Sequence, residues 1–345
     1  MSTSSSAIDK DATTTEASVA ERLDAFLADH VDAGRVTNLQ RAGSGRSRDN
    51  WLFDLVTIDS SGNPDHEPLI LRTDPDGGLI DTDRSVEFDV LQALENSGLP
   101  TPVARWLDAN GDALGRPSLI MRRLPGTCNY RVLREATLPL DERVSLGRAF
   151  CDLLAAVHGV DWRKLGLGAT LADPGPHAAH VELVRWSTVL HKDQLEPYPE
   201  LEYALAVLGE HAPRSIETVL VHADFKPGNI LLDDGDVTAL LDWELAHLGD
   251  PMEDLAWVTQ PLRSAEHTIE DSWETEDLIA HYAQVTGNPV DRDALKWWVA
   301  FSALKTAVMQ VSGLRAFLEG RAEEPYRPTR RVLSTLLTTV MEDFS

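Results

Sequence analysis

Apolar positions change their spacing twice along this chain. Val19, Leu23, Phe26, Leu27 and Val31 recur at helical intervals, so an amphipathic helix follows the polar N-terminal residues. Beyond it the apolar runs shorten. Trp51–Thr57, Pro68–Arg72 and Ser118–Arg122 read as strands, and the turn residues of Ser60–Pro64 and Asn110–Asp112 separate them as hairpin connections. One helical pattern interrupts these strands at Ser85–Asn96, where Val86, Phe88, Val90, Leu91 and Leu94 stand beside Glu87 and Asp89. From Asp141 onward a 3.6-residue period takes over in Val144, Leu146, Phe150, Leu153, Leu154 and Val157. Helices then dominate, except that Thr218–Trp243 reads as strand, loop, strand, tight Asp233–Asp236 turn, strand. Late in the chain, Leu295, Trp298, Val299, Ser302, Leu304, Val308 and Val311 predict a long helix buried along one side, with Trp297 and Trp298 as packing residues.

The pattern predicts an α+β, bilobal protein: a small N-terminal antiparallel sheet carrying one helix, then a larger, mostly helical C-terminal lobe. The expected divisions are a disordered tail over residues 1–18, an N-terminal lobe over 19–122, a hinge at 123–126 and a C-terminal lobe over 127–345. The hinge is placed where Leu124-Pro-Gly126 breaks the preceding strand. A length of 345 residues with 43% hydrophobic content can fill two cores. No stretch approaches the roughly 18–20 apolar residues of a membrane span, and the N-terminus has neither the basic start nor the apolar centre of a secretory signal. The formal net charge of −25 argues against nucleic acid and against anionic membranes as partners. Two cysteines, Cys128 and Cys151, are too few for a disulfide framework, which fits free, buried thiols in the cytoplasm.

The densest chemistry lies in His222-Ala-Asp224-Phe-Lys226-Pro-Gly-Asn229, followed by a hairpin and Asp242-Trp-Glu244. Asp224 and Asn229 bound a loop, and the returning strand delivers Asp242 beside it. A carboxylate, a carboxamide oxygen and a second carboxylate therefore converge. Hard oxygen donors of this kind suit Mg²⁺, which takes one or two protein carboxylates together with nucleotide phosphates. The other acid, Asp224, is left to orient a hydroxyl, which is the layout of a phosphoryl-transfer site. A hydrolytic metal site built from His222, Asp224, Asp242 and His247 is an alternative, but it leaves the upstream sheet without a role.

The H-x-D-x-x-x-x-N spacing of 222–229 is that of the protein-kinase-like superfamily, and its Pro227-Gly-Asn229 form resembles the aminoglycoside phosphotransferase (phosphotransferase enzyme) family. The stretch Leu241–Trp257 is most similar to the branch of that family found fused to acyl-CoA dehydrogenases. The resemblance covers residues 30–320 and is strongest in 222–257. It implies ATP as phosphate donor, with GTP not excluded, Mg²⁺ as cofactor and a small-molecule hydroxyl as acceptor. By position it makes Asp224 the catalytic base, Asn229 and Asp242 the metal ligands, and His222 a support for the loop. Lys226 would steady the transferring phosphate, and Asp254 would brace the loop from the following helix. Arg72 stands where kinases carry a phosphate-gripping Lys, with Glu87 as its expected partner. Gly43, Ser44, Gly45, Arg46 and Ser47 occupy the place of the phosphate-covering loop. Met121 and Arg123 fall on the connection that would face the adenine.

Two charge features bear on the acceptor. Between Pro227 and Asp291 there are fifteen acids and one Arg, which could attract a polycation such as an aminoglycoside. Between Ala113 and Arg134 there are five Arg and no acid, which could greet an anion such as a hydroxyacyl-CoA. A catalytically silent nucleotide-binding protein is the competing function, and the complete Asp224, Asn229 and Asp242 set speaks against it.

Overall fold

Helix α1 (Glu16–Ala28) begins three residues before Val19, where the pattern of apolar positions starts. The structure, a computed structural model, describes residues 16–42, 49–73, 83–322 and 324–344. Most of the expected tail and all of Gly43–Ser47 lie outside the described residues. The chain forms two compact units, 1–74 with 106–123 and 75–105 with 124–345.

The first unit is built on a five-stranded sheet. Its strands are β1 (Arg35–Arg41), β2 (Asp49–Ile58), β3 (Pro64–Thr73), β4 (Ala104–Asp108) and β5 (Ser118–Arg122), in the order β1-β2-β3-β5-β4. The pairs β1–β2, β2–β3 and β3–β5 are antiparallel. Strands β1 and β4 have no apolar run to announce them; β1 exposes most of its residues and carries an irregularity between Thr37 and Gln40, where Asn38 has a φ of 54°. Val19, Leu23, Phe26 and Leu27 of α1 pack on Trp51, Phe53, Leu55, Leu69, Leu71 and Ile120. Each such side chain, fully buried, contributes roughly 1.5–3 kcal/mol. Because side chains alternate along a strand, Leu69 and Leu71 face this core and Arg72 points to the opposite face. After β4 the chain turns around one carboxylate: Asp108 accepts hydrogen bonds from the amides of Gly111, Asp112, Ala113 and Leu114 at 2.7–3.1 Å.

The second unit opens with α2 (Arg84–Leu94), capped by Asp83, whose side chain accepts from the Ser85 amide. This helix was expected to belong with the sheet; by contact it belongs with the helices, packed against the turn at Trp243–Leu245. The other helices are α3 (Leu140–His158), α4 (Ala178–Asp193), α5 (Pro199–Glu210), α6 (Pro251–Thr259), α7 (Ser264–His267), α8 (Thr275–Thr286), α9 (Arg292–Leu318) and α10 (Arg330–Phe344). Two short antiparallel ribbons accompany them, β6 (Val219–Val221) with β9 (His247–Gly249) and β7 (Ile230–Asp233) with β8 (Asp236–Leu240).

Helix α9 is not buried along one side only. It is enclosed by α4, α5, α6 and α10, and Ala300, Phe301, Ala303, Leu304, Lys305 and Ala307 are all buried, as befits a helix that is apolar around most of its circumference. Trp297 and Trp298 are core residues as expected, with the Trp297 indole donating to the Leu208 carbonyl at 2.9 Å. Of the two thiols, Cys151 is buried but Cys128 is exposed, against expectation, because it lies in the irregular segment that follows Gly126. Gly126 has a φ of 115°, and a Cβ there would meet the Leu232 carbonyl oxygen at 2.6 Å. Among the described residues no helix is long and apolar enough to cross a membrane.

Candidate active site

Strand β6 ends at Val221, and the next eight residues form the loop that carries the motif. Two residues at its start take unusual support. Ala223 has a φ of 68°, a left-handed conformation that an alanine adopts only when its surroundings hold it. The hold is visible on both sides of the residue. Asp254, on α6, accepts from the His222 amide at 2.7 Å through one oxygen and from the Ala223 amide at 2.8 Å through the other. Lys305, on α9, donates to the Ala223 carbonyl at 2.8 Å.

His222 is fully buried, and each ring nitrogen has a partner. Its Nε2 lies 2.9 Å from the Leu241 carbonyl, so it donates, and its Nδ1 accepts from the Asp224 amide at 3.2 Å. The ring therefore acts as a strut between the loop and the end of β8. Asp224 follows, 7% exposed. Its Oδ2 accepts from the Lys226 ammonium and, at 3.2 Å, from the Asn229 amide. Its Oδ1 is buried with no hydrogen-bond partner among the described residues. A bare carboxylate oxygen held in place by its twin is a ready acceptor for an incoming hydroxyl.

The β7–β8 hairpin turns at Asp234 and Gly235, both with positive φ, as a two-residue turn requires. Its register pairs Ile230 with Leu240, and the Leu241 amide donates to the Asn229 carbonyl at 2.8 Å. Asp242, one residue on, thus emerges beside Asn229 in a left-handed conformation with a φ of 70°. The Asn229 amide nitrogen donates to the main-chain carbonyl and the carboxylate of Asp224, so its carbonyl oxygen points the other way. That oxygen and the carboxylate of Asp242 are hard donors of the kind that could hold Mg²⁺.

Behind the loop lies a buried network of charges. Besides Ala223, Lys305 faces Glu253 at 3.4 Å and lies over the rings of Trp186 and Trp257 at 5.4 and 4.9 Å. The other oxygen of Glu253 meets His247 Nε2 at 3.0 Å, Glu182 lies 3.7 Å from the same nitrogen, and His247 Nδ1 donates to the Leu245 carbonyl at 3.0 Å. Burial alone would lower the pKa of this imidazole, but Glu182 and Glu253 outweigh it and raise it to about 9. Burial acts to raise Asp254, yet the hydrogen bonds it accepts from the His158 ring and from the His222 amide hold its carboxyl at about 2. Glu182, His247 and Glu253 converge as three potential metal ligands, but Lys305 and the charged imidazole already neutralise the two carboxylates. The alternative of a metal held by His222, Asp224, Asp242 and His247 finds no geometry: His247 faces Glu182 and Glu253, and His222 has spent both nitrogens.

The remaining expected residues are placed as follows. Arg72 sits in the middle of β3, between Asn50 of β2 and Leu119 of β5. Glu87 is fully buried on α2 and bonded to Arg84, whose guanidinium also lies 3.8 Å from Glu244. Met121 is buried on β5 opposite Ile70. Arg123 donates through its main chain to Pro68 and through its side chain to Asp54, both at 2.9 Å. Lys305 and His158 were not singled out in the sequence. A single Lys in an otherwise apolar helix was the available signal for the first, since a buried ammonium must find partners.

Residues 38–298 match the model of the phosphotransferase enzyme family. Among characterised proteins, the chain is 25% identical to mouse (Mus musculus) acyl-CoA dehydrogenase family member 10 over 80% of its own length and 27% of that protein. It is 29% identical to chicken (Gallus gallus) acyl-CoA dehydrogenase family member 11 over 74% of its own length and 35% of that protein. The chain thus spans about a third of the length of these relatives. Among solved structures, a Ralstonia eutropha protein assigned as an aminoglycoside phosphotransferase superposes with a TM-score of 0.67 at 21% identity, covering 94% of this chain and 96% of that one. The macrolide 2'-phosphotransferase MphH from Brachybacterium faecium gives 0.55 at 19% identity, covering 93% and 98%. The fold is that of the kinase-like phosphotransferases.

Proposed function

Because the chain belongs to the phosphotransferase enzyme family, we propose that it transfers the γ-phosphate of ATP to a hydroxyl group of a small molecule. The observation that carries this reading is the unpartnered Oδ1 of Asp224, buried beside Asn229 and just across the hairpin from Asp242. Asp224 orients the acceptor hydroxyl and takes up its proton as the oxygen attacks phosphorus. The new O–P bond forms as the bond to the β-phosphate oxygen breaks, and ADP leaves. Lys226 fixes the Asp224 carboxylate and meets the transferring phosphoryl group; Asn229 and Asp242 would hold Mg²⁺, which when bound neutralises phosphate charge. Arg72 and the Gly43–Ser47 segment serve the donor phosphates. In support, solved members of this fold include a streptomycin–ATP ternary complex.

The acceptor reading divides on charge. Glu266 of α7 is raised by burial even though Arg263, Lys226 and Arg134 act to lower it, and Asp224 lies within the same field. Arg263 stands 3.8 Å from Glu266. Arg263, Lys226 and Arg134 thus all act on Glu266 in the field it shares with Asp224, and these cations suit an acceptor that bears negative charge. This observation supports a hydroxyacyl-CoA over a polycationic aminoglycoside, in keeping with relatives named as acyl-CoA dehydrogenase family members.

The test is ADP release and product mass, with ATP or GTP and Mg²⁺, against aminoglycosides, macrolides, amino alcohols and hydroxyacyl-CoAs. One class is expected to be phosphorylated, and Asp224→Ala to lose at least about 10³-fold in kcat while retaining nucleotide binding. Turnover by Asp224→Ala at the wild-type rate rejects the assignment.

A further inference from the structure

Helices α3 and α8 do not close fully on each other. Ala155, Ala156 and Gly159 of α3 are too small to fill the space opposite Tyr282, Val285 and Thr286, and a pocket of about 420 Å³ remains between these helices and the start of α6. Its size falls within the range of small-molecule sites, roughly 300–1,000 Å³. Val219, Pro251, Met252, Val285 and Pro289 give it apolar walls. The carboxylates that line it, Asp152 and Glu217, stand on exposed residues at its rim, with Asp152 accepting from His281 at 2.7 Å. The buried His158 and Tyr282 also line it.

Those last two residues lead to the catalytic loop. The Tyr282 hydroxyl lies 2.6 Å from His158 Nδ1, and His158 Nε2 lies 3.3 Å from Asp254 Oδ2. Asp254 is an ionised acceptor, so Nε2 carries a proton and donates to it, and Nδ1 accepts from the Tyr282 hydroxyl. The same Asp254 oxygen accepts from the His222 amide. Three side chains thus join the pocket wall to the residue two before Asp224.

We propose that this pocket binds a small organic cation with an apolar body, and that its occupancy is transmitted to the catalytic loop through Tyr282, His158 and Asp254. The apolar walls take the body. Glu217 and Asp152 attract the charge, and the ring face of Tyr282 offers it a further favourable contact. A ligand that contacts Tyr282 alters the hydrogen bond made to His158 and, through it, the one made by His158 to Asp254. Coupling of this kind is reciprocal, so any ligand that orders the loop also tightens the pocket. The site lies wholly within the helical unit and does not depend on the phosphotransfer reading.

The test uses benzylammonium as the probe, with benzyl alcohol and benzoate as neutral and anionic counterparts, titrated calorimetrically into the full chain. Benzylammonium is expected to bind with a Kd of about 1 mM or tighter and about tenfold more tightly than either counterpart. Ala156→Trp, which fills the pocket from an exposed helix position, is expected to remove binding, and Glu217→Gln to weaken it about tenfold. At saturation, hydrogen exchange at the His222 and Ala223 amides is expected to change by about twofold or more, because both donate to Asp254. No binding by benzylammonium, equal binding of the three probes, or binding indifferent to both substitutions overturns the site. Binding with unaltered exchange at His222 and Ala223 overturns the transmission.

Discussion

Lys305 holds the carbonyl of the residue that precedes the proposed base, and it is 1% exposed. Replacing it with Met removes the donor to Ala223 and leaves Glu253 with one fewer cation, a change of the kind that costs about 3–5 kcal/mol in a buried pair. Lys305→Met is therefore expected to unfold at lower urea and to lose kcat with little change in nucleotide affinity. Adding Glu253→Gln should recover part of the stability but not the turnover, because the carbonyl stays unheld; recovery of both would show that Lys305 acts only through its charge pair. His247 allows a pH test. Its folded pKa of about 9 lies above the ordinary 6.5, so its contribution is complete below pH 6.5 and is lost as pH rises through 9. Urea midpoints of the wild type should fall across that window, and those of His247→Gln should fall less. Asp254 works in the opposite sense: its pKa of about 2 contributes stability above pH 3.8 that disappears as pH falls toward 2. The motif from His222 to Asn229, with Asp242, was legible because its spacing is local and its chemistry is carried by residue type. Lys305, His158 and Tyr282 were not, because their partners lie 82, 96 and 124 positions away in the chain.

Among the elements, the β7–β8 hairpin does the positioning, and the expected hinge is fastened to it. Thr127 exchanges main-chain hydrogen bonds with Leu232 at 2.9 and 3.0 Å, and Thr238 donates to the Pro125 carbonyl at 2.9 Å. Gly126 fits between them only because it lacks a Cβ. Gly126→Ala is expected to lower stability by about 1–3 kcal/mol through its left-handed φ and the clash with Leu232; a melting temperature equal to the wild type would show that the backbone shifts at no cost. The apolar pattern foretold β2, β3, β5 and α3, each of which buries a periodic face, and the place of α9 though not its full burial. It missed β1 and β4, which have no apolar run to announce them, and it assigned α2 to the sheet, whereas its contacts group it with the helices. An amphipathic period fixes that a helix buries one face, not which element receives it.

Across the whole molecule, the charge of −25 proves to be distributed by task. In the acidic stretch 227–291, Asp250 and Asp291 cap α6 and α9, Glu274 and Asp277 form a capping box on α8, and Glu253 and Asp254 serve the catalytic loop. Much of that stretch is therefore architecture rather than a field aimed at a polycation. The exposed acids still repel one another, so raising NaCl from about 0.02 to 0.3 M is expected to raise the melting temperature by about 2–4 °C. A fall with added salt would mean that surface ion pairs outweigh the repulsion. The grip of Lys305 on Ala223 has one more consequence, which concerns the order of events during synthesis. Every residue of the motif, from His222 to Asp242, leaves the ribosome before α9 does. A nascent chain that already displays the whole motif therefore lacks the ammonium that secures it, and the hold on Ala223 is completed only once translation has passed residue 305.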